Sequence, residues 1–80
     1  MKYIDQENPR FTYYIRETLN GFAIQVQNVA RDESYPLTPS IAGANGLSLP
    51  DGLRMQSCTI EAAVEELNRL AKQNGLLPIE

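Results

Sequence analysis

The chain contains no histidine and no tryptophan, and its only cysteine is Cys58. Without histidine there is no Ser-His-Asp or Cys-His arrangement, and a metal site would have to be built from carboxylates or carbonyls. One cysteine excludes an intrachain disulfide, and a lone thiol with no targeting segment points to the reducing cytoplasm. No apolar run approaches the roughly 20 residues that span a bilayer. The opening Met1-Lys2-Tyr3-Ile4-Asp5 lacks the apolar stretch of a signal peptide. No lysine stands between Lys2 and Lys72, so no P-loop can be written, and the dinucleotide fingerprint G-x-G-x-x-G is also missing. Seven basic residues are scattered among ten acidic ones, for a net charge of −3. That balance argues against strong binding to a phosphate backbone.

What is present suits one small folded domain spanning residues 1–80, 42% hydrophobic. Domains of this size bury only about 60–65% of their unfolded surface. With no disulfide and no histidine-based metal site, self-association or a bound partner is the expected support.

The clearest local signal is "FTYYIRETLNGFAIQV". Asn20-Gly21 is the favoured pair for a two-residue type I′ hairpin turn, since both positions need positive φ. Such a turn sets Leu19 opposite Phe22, Glu17 opposite Ile24 and Ile15 opposite Val26. Strands over about 11–19 and 22–29 then carry Phe11, Tyr13, Ile15, Leu19, Phe22, Ile24 and Val26 on one face. Thr12, Tyr14, Arg16, Thr18, Ala23, Gln25 and Gln27 take the other.

"TIEAAVEELNRLAKQNGLLP" reads as a helix over 60–74. Thr59 can cap its first turn. Ile60, Ala63, Val64, Leu67, Leu70 and Ala71 recur at helical spacing. Asn74-Gly75 is a stop, with Leu76 placed for a Schellman-type contact and Pro78 beyond.

Between these two signals, residues 31–58 are too long for a structureless loop in a compact domain. A weak alternation over 53–57 predicts an edge strand. Residues 37–52 form a glycine-rich loop. Its "GANG", Gly43 to Gly46, matches the G-x-x-G that clamps a nucleic-acid backbone, but no basic residue is near. Four-residue matches are common by chance, so a tight surface turn is preferred. Ile41, Leu47, Leu49 and Leu53 make the segment apolar, so it is expected to pack over the hairpin or to dock on a partner.

Cys58 precedes the helix start, where a thiol pKa can be depressed, yet free cysteine usually serves as a small hydrophobe. The helical glutamates fall on the solvated side of the apolar stripe, the ordinary place for surface charge. Tyr14 and Arg16 on an open sheet are the groups that stack and hold single-stranded nucleic acid. A face contacting protein is the commoner use of such residues.

"LPDG" at Leu49–Gly52 and "CTIEAAVEEL" at Cys58–Leu67, following a β-hairpin, resemble the core of the HicB-type antitoxins. The chain departs from that family in its long span after the hairpin and in having no separate DNA-binding segment. The resemblance implies an architecture, a hairpin plus helix in a small protein that binds another protein.

The sequence therefore predicts an α+β fold: an N-terminal hairpin, widened by an edge strand from 53–57 or the N-terminus, packed on one C-terminal helix. A small, non-catalytic cytoplasmic interaction module is expected, with no cofactor and no metal. Tyr14, Arg16, Gln25, Gln27, Ile41, Leu47 and Leu49 are the candidate partner-binding residues. A protein partner is expected, and a homodimer through the hairpin is the structural hypothesis. A nucleic-acid binder using Tyr14 and Arg16 ranks second, and a minimal enzyme using Cys58 third.

Overall fold

The computed structural model describes residues 1–79. It is an α+β fold: a six-stranded antiparallel sheet with its helices on one face. The strands are β1 (Lys2–Ile4), β2 (Phe11–Thr18), β3 (Gly21–Asn28), β4 (Glu33–Pro36), β5 (Gln56–Ser57) and β6 (Leu77–Ile79). A short helix α1 (Pro39–Ala44) follows β4, and α2 (Ile60–Asn74) lies between β5 and β6. Spatial order is β4-β3-β2-β1-β6, with β5 also pairing β3.

The hairpin forms, with a register two residues away from the expected one. Thr18 faces Gly21, Glu17 faces Phe22, Ile15 faces Ile24 and Tyr13 faces Val26. Leu19 and Asn20 make the turn, and Leu19 is 103% exposed instead of inward-facing. The reason is tertiary. A Cβ on Gly21 would stand 2.3 Å from the Ser57 carbonyl oxygen, so this glycine serves the close approach of β5. Because the slip is even, each residue keeps its expected face. Tyr13, Ile24 and Val26 are fully buried.

Both proposed sources of an edge strand are used. The N-terminus supplies β1, which pairs β2 through Tyr3↔Tyr13. The 53–57 segment supplies β5, which pairs β3 at Phe22↔Ser57. Ile24 shows how β4 and β5 share one edge of β3: its carbonyl accepts from Leu37 N–H and its N–H donates to the Met55 carbonyl, both at 2.9 Å. The strands β4 and β6 and the helix α1 are additions to the expected architecture. Thr38 caps α1 through Ile41 N–H, with Pro39 in its first turn.

Helix α2 has its expected bounds. The Thr59 hydroxyl accepts from Ala62 N–H, and Gly75 closes the helix in the left-handed region at φ 65°. Leu76 N–H then reaches the Ala71 carbonyl at 2.9 Å, and its side chain is buried. Ala63, Leu67, Leu70 and Ala71 pack on the sheet, while Ile60 at the first turn is 41% exposed. Tyr3 donates from its hydroxyl to Asn68 Oδ1 at 2.5 Å, tying β1 to α2.

The core gathers Phe11, Tyr13, Ile24 and Val26 from the sheet, Leu67 and Leu70 from α2, and Leu37, Ala42 and Leu47 from the glycine-rich region. That segment thus contributes to the domain's own core. The Tyr13 hydroxyl, inside this core, accepts from Asn45 Nδ2 at 3.2 Å. Burial pushes its pKa up to about 12, against the lowering effect of the Asn45 bond. Among the described residues no helix is long and apolar enough to cross a membrane.

Candidate functional site

All helical mass lies on one side, so the opposite face of the sheet has no second layer. The pairing brings Lys2, Tyr14, Gln25 and Pro36 into one row across it, and Ile4, Thr12, Gln27 and Ser34 into the next. Arg16 and Ala23 form a third row, extended by Gln56. Leu77 and Ile79 of β6 flank Ile4 and Lys2 and remain substantially exposed.

Tyr14 organises this face. Its hydroxyl hydrogen-bonds the Ser34 hydroxyl of β4, two strands away. The ring therefore lies flat across β3 instead of standing out from the sheet. The Lys2 ammonium sits over that ring, 5.4 Å from its centroid. This lateral packing buries polar groups with no helix above them. Gln25 is 3% exposed and Thr12 is 5% exposed. Gln25 Oε1 and Thr12 Oγ1 have no hydrogen-bond partner among the described residues.

Toward the hairpin tip the floor drops. Arg16 faces the small Ala23 on β3, while Gly21, opposite Thr18, is approached by the Ser57 carbonyl of β5. The resulting open depression is lined by Arg16, Glu17, Thr18, Leu19 and Gln25. Gln56 closes one side, its Nε2 donating to Thr18 Oγ1 at 3.4 Å.

The structure thus brings four of the seven sequence candidates together: Tyr14, Arg16, Gln25 and Gln27 share the open face, with Gln25 set into it. The other three lie on the helical side. Leu47 is 9% exposed and belongs to the core, the packing over the hairpin that was one of the two expectations for this segment, and its apolar surface is satisfied within the chain. Ile41 and Leu49 are half-buried against the same core. Cys58 is exposed at the junction of β5 and α2.

Sequence reasoning missed Lys2, Ile4, Ser34, Pro36, Leu77 and Ile79. Each lies on a strand of three or four residues. Alternation over so few positions carries little signal.

The edges of the sheet are as informative as its face. Leu37 bonds toward β3 at Ile24, so by alternation Pro36 points its nitrogen outward. Pro78, paired with Tyr3, lacks an N–H and so must also face outward. The outer strands β4 and β6 therefore each present a proline where an added strand would seek a donor, while β5 carries none.

No family model matches the chain, and no curated protein or solved structure matches it.

Proposed function

We propose that this protein is a small non-catalytic interaction module that binds a protein partner face-on, through the open side of its sheet. The observation that carries the reading is the combination of an uncovered face with a proline on each of the outer strands β4 and β6. Natural sheets with bare edges recruit partners by strand addition. Here Pro36 and Pro78 oppose that route, while Tyr14, Arg16, Gln27, Leu77 and Ile79 offer side chains in the mixture of aromatic, cationic and apolar groups that favours protein contact. The lone thiol Cys58 supports a cytoplasmic location.

A nucleic-acid partner is the second reading, and the state of Tyr14 weighs against it. A stacking platform needs a free ring face, and Lys2 already sits over this one.

Self-association through the hairpin has one short bare edge to use, on β2. Ile24 bonds away from β2, so Ile15 and Glu17 direct their backbone groups away from β3, beyond the reach of β1. A strictly monomeric species across micromolar concentrations in light scattering would remove a homodimer formed there.

The test is a tagged pull-down from source-cell lysate, with and without nuclease, repeated with Tyr14→Ala/Arg16→Ala. A stoichiometric protein that survives nuclease and is lost in the double variant is the expected result. Capture that disappears with nuclease would move the assignment to nucleic acid. A partner retained by the double variant would remove the open face from the reading.

A further inference from the structure

We infer that the partner is an acidic protein surface, and that one of its carboxylates seats in the depression beside Arg16. This rests on the face-on docking reading above and gives its partner a chemistry.

The first argument is charge. The whole chain carries −3, yet the open face bears Lys2 and Arg16 and has no acidic residue at any strand position facing that way. Among the described residues neither cation enters an ion pair. Most carboxylates lie elsewhere, with Glu61 and Glu65 exposed on α2 and Asp32 in the β3–β4 turn; among the described residues Glu17 alone lines the depression. Segregation of this kind steers an oppositely charged surface to one side of a molecule.

The second argument is shape and hydrogen bonding. The depression beside Arg16 is open to solvent and lined by Arg16, Glu17, Thr18, Leu19 and Gln25. Gln25 lines it, nine-tenths buried, with its amide oxygen unpartnered. An amide presents either its oxygen or its N–H2 group by rotating, so a seated carboxylate finds a donor there as well as at Arg16. Glu17 borders the rim, but its Cβ starts from the helical side of β2.

A second copy of this chain fits poorly, since the strand positions of two such faces would set Lys2 and Arg16 against the same cations. Nucleic acid requires more than two positive groups on an otherwise acidic protein to hold its phosphates.

The test uses ¹⁵N-labelled full-length protein and three defined probes: the copolymer poly(Glu,Tyr), the copolymer poly(Lys,Tyr) and oligo(dT). Poly(Glu,Tyr) is expected to shift the amides of Tyr14, Arg16 and Gln25, and to bind Lys2→Glu/Arg16→Glu at least about tenfold more weakly. Circular dichroism of that double variant should be unchanged, because both side chains are exposed. Shifts confined to α2, no shifts at all, or tighter binding of oligo(dT) would overturn the inference. The pull-down separates this failure from failure of the docking reading. A protein partner that is lost with Tyr14→Ala/Arg16→Ala but kept by Lys2→Glu/Arg16→Glu leaves face-on docking standing and removes its acidic character.

Discussion

Asn74 holds Ser48 by both of its backbone groups. Its Oδ1 accepts from Ser48 N–H at 2.7 Å and its Nδ2 donates to the Ser48 carbonyl at 2.8 Å. The same Nδ2 reaches the Leu70 carbonyl at 2.9 Å, which fixes the amide against its own helix. One turn earlier, Arg69 donates to the Asp51 carbonyl at 2.6 Å and pairs with Glu66, whose Oε1 also accepts from Arg54 N–H. The glycine-rich segment is thus fastened along α2 at Ser48, Asp51 and Arg54.

Removing that clasp should free the segment without unfolding the domain. Asn74→Ala is expected to cost about 0.5–1.5 kcal/mol, since the exposed backbone groups of Ser48 then find water. Trypsin should cut after Arg54 faster in the variant than in the parent, with α2 helicity retained by circular dichroism. An unchanged cleavage rate would mean the segment is held by its buried leucines alone.

Two glycines should respond in opposite directions to alanine. Gly21 sits at φ +140° and a Cβ there would overlap the Ser57 carbonyl. Gly21→Ala is therefore expected to destabilise by about 1–3 kcal/mol, the range for a residue held in a disallowed conformation. Gly43 lies inside α1 with open space around its Cβ position. Gly43→Ala should be neutral or stabilising by about 0.5–1 kcal/mol. Urea denaturation of both variants, at constant m-value, reads the contrast directly.

Tyr13 should make the fold sensitive to alkali. Its pKa is raised from 10.0 to about 12. At pH below 10 the hydroxyl is protonated in folded and unfolded chains alike, and its contribution to stability is fully present. As pH rises from 10 toward about 12, only the unfolded chain ionises, so that contribution is progressively lost. Tyr13→Phe should remove this part of the pH dependence. At neutral pH it should cost about 1 kcal/mol or more, because Asn45 Nδ2 loses its acceptor in a buried place. Denaturation midpoints compared at about pH 9 and about pH 11 test both statements. An equal loss in parent and variant would assign the alkaline transition to other groups.

On the open face, Thr12→Val should stabilise the isolated protein. The Thr12 hydroxyl is buried with no partner among the described residues, and valine keeps the side-chain shape and suits a strand. A gain of about 1 kcal/mol is expected from removing an unsatisfied hydroxyl. A loss on thermal denaturation would show that the hydroxyl does find a hydrogen bond.

The hairpin, its faces and helix α2 were legible because each is signalled twice, by local turn or cap chemistry and by hydrophobic period. Thr59 and Gly75 bound α2 where the apolar stripe begins and ends. The register of the hairpin was not legible. Asn20-Gly21 is locally the best turn pair, yet Gly21 is needed beneath Ser57, a contact from 36 residues away in the chain. The strands β1, β4 and β6 are too short to show a period and acquire strand conformation from their neighbours. For the candidate site, alternation assigned Tyr14, Arg16, Gln25 and Gln27 to one face correctly. For Leu47 the sequence left packing over the hairpin and docking on a partner open, since burial of an isolated leucine depends on where the chain returns.

β1 and β6 are neighbours, with Lys2 beside Ile79 and Ile4 beside Leu77. On the ribosome this order matters. β1 is made before the other five strands, and its inner partner β2 follows within a few residues, but its outer partner β6 is made after all of them. Until residues 77–79 emerge, the nascent sheet carries a bare outer strand, and the proline that later guards that side has not been synthesised. The period of greatest exposure to unwanted strand pairing therefore ends only as this segment leaves the exit tunnel, and chaperone occupancy during translation should be concentrated before that moment.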